Sequence, residues 1–209
     1  MSEKPRLRPE WVAPRRTALL VIDLQVDFAA PEGVMAQSGA DMKQVEAAQA
    51  KIAELVEAAR TAAVPCVFTR AVTAPERQTP IEAEGRGRHG EPAPTICLAG
   101  SHGADFVEPR PREGELVITK QRYSIFPGTG LAETLKSRGV DTLIFCGLTT
   151  ECCVQSSAWD AFERDFHVFI AADAVAAYEP ALHQAALRSL ELSGAILAPA
   201  AAFAVSWKH

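Results

Sequence analysis

The sequence predicts a three-layer α/β/α protein built on a doubly wound, mostly parallel, six-stranded sheet. Three observations predict it. Short continuous apolar runs recur along the 209 residues, as strands buried on both faces of a parallel sheet require. Between them lie stretches with apolar residues at helical spacing. Strand and helix alternate from about residue 17 to 198 with no repeat or linker, the pattern of right-handed crossovers that place helices on both faces.

Residues 1–14 hold Pro5, Pro9 and Pro14 among mixed charges and read as an irregular arm before a single domain over 15–209. Thr17-Ala-Leu-Leu-Val-Ile22 is the first strand. It ends in Asp23-Leu-Gln-Val-Asp27-Phe28, after which Pro31 and Gly33 mark a loop. Asp41 to Ala62 is a helix whose stripe of Val45, Ala48, Ile52, Leu55, Val56 and Ala59 faces the core. Val64 to Thr69 is the second strand. Ala71 to Pro111 is rich in proline and glycine and reads as a long irregular segment, a kind that is usually functional or mobile. Glu115 to Thr119 is the third strand, ending at Lys120, and Thr129 to Arg138 a short helix closed by Gly139. Asp141 to Cys146 is the fourth strand. A helix from Thr150 to Asp165 carries Cys152 and Cys153. His167 to Ala171, a helix over Ala181 to Leu192, and Ala195 to Ala198 complete the sheet.

Composition narrows the function. Hydrophobic residues make up 48% and charged residues 22%, ordinary for a soluble domain large enough to bury its own core. A net charge of −5 gives no basic patch for nucleic acid. No apolar run approaches the ~20 residues of a membrane span, and no apolar stretch of a signal peptide follows the N-terminal basic residues. The five cysteines lack CxxC spacing, so a reducing compartment, the cytoplasm, is expected. No Cys/His spacing suits zinc, no GxGxxG follows the first strand, and Gly128-Thr-Gly130 lacks the spacing and lysine of a phosphate loop. Neither a metal nor another cofactor is expected.

Ligands of open α/β sheets bind at the carboxyl ends of the strands. Three reactive side chains fall there: Asp23 after the first strand, Lys120 after the third, and the cysteine pair just past the fourth. A free thiol has a pKa of about 8.5, and a lysine ammonium and a helix N-terminus lower it. An aspartate can take the proton. Bland readings stand beside this one. Asp23 could cap a turn, Lys120 could be solvated, and either cysteine could be a small buried hydrophobe. A redox role for the vicinal pair is disfavoured, because adjacent helical residues do not face each other.

The residues at these strand ends belong to longer blocks: Ala18-Leu-Leu-Val-Ile-Asp-Leu-Gln-Val-Asp-Phe28, Val117-Ile-Thr-Lys-Gln-Arg-Tyr-Ser-Ile-Phe126, Pro127-Gly-Thr-Gly-Leu131, and Cys146-Gly-Leu-Thr-Thr-Glu-Cys-Cys-Val-Gln-Ser-Ser-Ala-Trp-Asp-Ala161. In order and spacing the chain resembles, over about residues 15–198, the isochorismatase-like cysteine hydrolases. That superfamily contains nicotinamidase, N-carbamoylsarcosine amidohydrolase, ureidoacrylate amidohydrolase and biuret hydrolase. The resemblance implies a Rossmann-like sheet, a catalytic triad of Asp23, Lys120 and Cys153, and a thioester intermediate. The nucleophile is the cysteine directly before a valine. It also implies a non-proline cis peptide between Leu148 and Thr149, an oxyanion hole formed by the backbone N–H groups of Thr149 and Cys153, and a homo-oligomer of two or four chains.

Nicotinamidases carry metal-binding histidines after strand two, where this chain reads Thr69-Arg-Ala-Val-Thr73. Isochorismatases proper lack the cysteine. The resemblance therefore points to a small amide or an N-carbamoyl or ureido compound, hydrolysed with release of ammonia. A nicotinamidase-like or isochorismatase-like hydrolase on another small substrate, and a non-catalytic binding protein of the same fold, are the alternatives. Phe28, Tyr123 and Phe126 are the expected apolar pocket walls, and Arg70 the expected partner of a substrate carboxylate. The 71–111 segment, with Arg86, Arg88 and His89, is expected to form a lid or a subunit contact. Asp27, Asp160 and Asp173 are read as structural.

Overall fold

A computed structural model of the chain describes residues 7–74, 79–90 and 95–208. Its strands are β1 (Thr17–Ile22), β2 (Cys66–Ala71), β3 (Leu116–Lys120), β4 (Thr142–Leu148), β5 (His167–Ala176) and β6 (Ile196–Ala198). They form one sheet in the order β3-β2-β1-β4-β5-β6, with every pair parallel. Chain direction across the sheet reverses between β1 and β4, the strands buried at every position, so the switch point lies at their carboxyl ends.

The eight α-helices among the described residues are α1 (Val26–Ala29), α2 (Val34–Gln37), α3 (Lys43–Thr61), α4 (Pro80–His89), α5 (Leu131–Ser137), α6 (Gln155–Phe162), α7 (Pro180–Leu192) and α8 (Ala200–Ser206). On one face of the sheet, α3 and α8 pack Ile52, Leu55 and Phe203 against Leu19, Phe68 and Ile144. On the other, α5, α6 and α7 pack Leu131, Ala158 and Leu190 against Leu20, Phe145 and Ile170. All six residues of the expected α3 stripe are buried. Cutting one of them back, as in Leu55→Ala, costs about 2–5 kcal/mol.

Several elements differ from the reading of the sequence, each for a physical reason. The expected cysteine-bearing helix begins as a wide π-type turn, Thr150–Val154, before α6 takes over. β5 runs on to Ala176 because, past a register shift, Val175 and Ala176 pair with Gly147 and Leu148 of β4; Asp173 accepts from Ala200 N at 2.6 Å, holding the start of α8. That helix, an alanine run after Pro199, was not anticipated. Nor was α4, inside the segment read as irregular. There good helix formers outweigh Gly85 and Gly87, and Pro80 suits a first turn. Two short 3-10 turns, Pro9–Val12 and Pro14–Arg16, precede β1, with Val12 in the core and its carbonyl accepting from Trp207 Nε1 at 3.0 Å. Residues 1–6, and the side chains of Arg86 and His89, lie outside what is described. No helix among the described residues is long and apolar enough to cross a membrane.

Candidate active site

Asp23 directly follows β1 in a left-handed conformation (φ 47°), one that a non-glycine residue adopts only when its surroundings hold it. Thr69, on the neighbouring strand, supplies that hold. Its hydroxyl accepts from Asp23 N at 3.1 Å and donates to Asp23 Oδ1 at 2.8 Å, while its carbonyl accepts from Asp23 N at 3.2 Å. The other carboxylate oxygen, Oδ2, faces the Lys120 ammonium at 2.6 Å, off the direction of an aligned hydrogen bond. Lys120 Nζ in turn donates to Cys153 Sγ at 3.2 Å and to the Arg122 carbonyl at 3.0 Å. Relative exposures are 0% for Asp23, 3% for Lys120 and 9% for Cys153. Acid, cation and thiol from three chain regions thus meet in one buried cluster at the switch point.

The nucleophile loop is shaped from both sides. Gly147 (φ 111°) lies so close to the Ile22 backbone that any side chain there would overlap it. The Leu148–Thr149 peptide is cis, as the resemblance implied. The Thr149 carbonyl accepts from the amides of Cys152 and Val154, both at 3.1 Å, so the Cys153 amide between them takes no part in that pair. One turn on, Ser157 Oγ donates to the Cys153 carbonyl at 2.6 Å and accepts from Ile125 N at 3.2 Å. Ser124 donates to Asp160 Oδ2 at 2.6 Å, and Arg164 donates to Asp160 Oδ1 at 2.8 Å. The loop after Lys120 is thereby tied to the helix that carries Cys153.

Burial favours a neutral lysine, but the Asp23 carboxylate and the Cys153 sulfur outweigh it and hold the Lys120 ammonium above its ordinary pKa. The Cys153 thiol is pushed up by the neighbouring Cys152 side chain, by burial and by the Asp23 carboxylate, against the pull of Lys120. This corrects the lowered thiol pKa expected from the lysine and the helix end. In the resting site the lysine's charge is already balanced by the aspartate. The cluster carries one positive and one negative charge whether the shared proton sits on sulfur or on the carboxylate. Passing it from one to the other creates no net charge in the buried site, where an unbalanced charge would be costly.

Of the other residues singled out in the sequence, Phe28 packs beside the core and its carbonyl accepts from Tyr178 Oη at 2.8 Å. Phe126 is buried, its ring stacked on Phe166 at 6.0 Å. Tyr123 is 67% exposed. Arg70 donates to Thr119 Oγ1 at 3.0 Å, and Thr119 alternates along β3 with Lys120, so it stands on the opposite face of the strand. Asp23, Lys120 and Cys153 are brought together. Thr69 and Ser157 are the supports that the sequence reading missed, although a threonine closing an apolar strand was a visible signal. All five cysteines are free. Cys66 and Cys146 are buried, and burial pushes the Cys66 thiol up to about 12. Among the described residues no group of three or more His, Cys, Asp or Glu side chains is placed to hold a metal ion.

A parallel sheet with this strand order, and a thiol, an ammonium and a carboxylate at its switch point, define an α/β hydrolase of the cysteine type. The chain belongs to the isochorismatase family, whose domain model matches residues 17–202. It is 36% identical over 214 aligned positions to the ureidoacrylate amidohydrolase RutB of Methylobacterium radiotolerans, covering 94% of this chain and 82% of that protein. Among solved structures, a cysteine hydrolase from Pseudomonas syringae pv. phaseolicola 1448A superposes with a TM-score of 0.83 at 24% identity, covering 100% and 99% of the two chains, a likeness of fold. The N-carbamoylsarcosine amidase of Thermoplasma acidophilum gives 0.70 at 26% identity over 88% and 96%.

Proposed function

We propose that the protein is a cysteine-dependent amidohydrolase that cleaves a non-peptide C–N bond of a small N-carbamoyl or ureido compound. The observation that carries this reading is the position of Lys120 Nζ, 2.6 Å from Asp23 Oδ2 and 3.2 Å from Cys153 Sγ. The names of the 36% identical ureidoacrylate amidohydrolase and of the N-carbamoylsarcosine amidase support the ureido and carbamoyl class.

In this scheme the Cys153 thiol gives its proton to Asp23 as sulfur attacks the carbonyl carbon. The backbone N–H groups of Thr149 and Cys153 receive the developing oxyanion. A single such donor lowers a barrier by about 3–4 kcal/mol in measured cases. Asp23 returns the proton to the leaving nitrogen, the C–N bond breaks and ammonia departs, leaving a thioester. Water then attacks the thioester, gives a proton to Asp23, and the sulfur leaves with that proton. Carbon dioxide follows where the acid product is a carbamic acid. Lys120 keeps its charge throughout and stabilises whichever partner is negative. A cytoplasmic homo-oligomer of two or four chains is part of the proposal and rests on the resemblance and the free thiols. A single monomer species in sedimentation at micromolar concentration would remove the oligomer.

The test is ammonia release from a panel of ureido acids, biuret, nicotinamide and simple amides. Release from carbamoyl or ureido compounds, abolished in Cys153→Ala, is the expected result. No ammonia from any member, together with insensitivity to thiol reagents, would overturn the proposal.

A further inference from the structure

Two buried polar side chains at the end of β1 have no part in the scheme above, yet both grip the same distant segment. Gln25 is fully buried. Its Oε1 accepts from Ala71 N at 2.7 Å, and its Nε2 donates to the carbonyls of Ala71 at 2.8 Å and Ala104 at 3.0 Å. Asp27, also buried, accepts from Cys97 N at Oδ2 (2.6 Å) and from Val34 N at Oδ1 (3.2 Å). Gly103 is packed so tightly on this carboxylate that a Cβ there would overlap it.

Backbone bonds continue the grip. Val26 N donates to the Asp105 carbonyl at 2.9 Å, and Thr73 N to that of Cys97 at 2.8 Å. Ala99 N donates to the Thr73 carbonyl at 2.9 Å. The segment is thus laid across the carboxyl ends of β1 and β2. Its Ala99, with Val72, Ala74, Lys120, Arg122 and Pro127, lines a cleft of about 470 Å³.

We infer that Asp27 is a positioning residue for the substrate: its carboxylate latches residues 97–103 into the wall of the cleft beside Lys120, and so sets substrate affinity rather than the rate of the chemical step. The functional half of this inference rests on the hydrolase reading above. The residue type fits the task. Two N–H donors converge on the two oxygens, and only a carboxylate is an acceptor at both. Asparagine would turn an NH₂ group towards one of those donors. The latch also reaches the triad electrostatically. The Cys97 thiol, fully buried, is pushed up by burial and by the Asp27 and Asp23 carboxylates, with Lys120 opposing them.

The test compares Asp27→Asn and Gly103→Ala in the full chain, the second disturbing the latch with the carboxylate intact should the first fail to fold. Iodoacetamide labelling of Cys97 under native conditions, read by peptide mass, reports the latch without reference to activity. KM and kcat for the best ureido substrate report its consequence. Labelling of Cys97, slow in the wild type, is expected to rise at least about tenfold in both variants. KM is expected to rise about tenfold, with kcat within about threefold of wild type, and the double variant should be no worse than the worse single one. Cys97 staying protected in both variants, or kcat falling with KM unchanged, would overturn the inference. If the wild type hydrolyses nothing in the panel, the hydrolase reading falls, and Cys97 labelling alone still decides on the latch.

Discussion

The two ends of β3 carry two ion pairs of similar chemistry and opposite design. Just before the strand, Glu115 meets Arg60 of α3 through two bonds, Nε to Oε1 and Nη2 to Oε2, both 2.8 Å. The pair has further partners on both sides. Arg60 also donates to Glu57 at 2.7 Å and to the Arg110 carbonyl at 2.8 Å, and stands over the Phe68 ring, while Arg112 N donates to Glu115 at 2.7 Å. At the far end, Lys120 and Asp23 are each 1% exposed in the side chain, and Asp23 Oδ2 has no aligned donor. The first pair is a staple. The second leaves one carboxylate oxygen without an aligned donor beside a thiol, an arrangement that makes poor use of charge for stability and good use of it for moving a proton.

Mutation should separate them. Cys153→Ala is expected to lower turnover by about 10⁴-fold or more and Asp23→Asn by about 10³-fold, both read as ammonia release by folded protein. The double variant Asp23→Leu/Lys120→Met is expected to be equally dead. Its stability should be unchanged or raised by up to about 4 kcal/mol, because apolar groups replacing a buried pair of charges spare their desolvation. Urea titration checks this, and a clear loss of stability would show that the pair is also a staple. At the other end of β3, Glu115→Ala is expected to cost about 1–3 kcal/mol, with turnover unchanged within about twofold.

The pH dependence differs in sign between the two ends. Burial raises the Glu115 carboxyl, but Arg60 and the Arg112 amide outweigh it and hold the pKa below the ordinary value. The stability this adds is present above the unfolded carboxyl's pKa of about 4.3 and is lost as pH falls through the lower folded value. Lys120 is held high, so its contribution is full below about 10.4 and is lost only as pH rises through its folded pKa. Thermal melts from pH 6 down to 3 should therefore fall less steeply in Glu115→Gln than in the wild type, since that carboxyl no longer titrates. Of the substitutions at the site itself, Cys152→Ala is expected to have the smallest effect, within about threefold in turnover, because the sulfur at hydrogen-bond distance from Lys120 is that of Cys153.

The sheet was legible because buried parallel strands are continuous apolar runs, and the run Thr17 to Ile22 coincides with β1 to the residue. So were Asp23, Lys120 and the cysteine pair, polar residues standing where such runs stop. What stayed hidden depends on contacts between distant segments. The π-type turn at Thr150 is not written in helical periodicity. α4 carries two glycines and little apolar stripe. The task of Asp27 becomes visible only when Cys97 N, 70 positions away, is found 2.6 Å from its carboxylate. The upward direction of the Cys153 shift was hidden for the same reason: the sequence supplies a lysine and a helix start, and only the structure shows the Cys152 side chain, burial and the Asp23 carboxylate outweighing the lysine.

Whether Asp23 governs the thiol's proton, rather than merely shaping the site, is read from the alkylation rate of Cys153 with iodoacetamide at pH 7, site-resolved by peptide mass, in Asp23→Asn against the wild type. With the carboxylate gone, the buried ammonium has the thiolate as its counter-ion. Alkylation at least as fast as in the wild type, while turnover collapses, is expected if Asp23 governs the proton. Alkylation falling in step with turnover would contradict it.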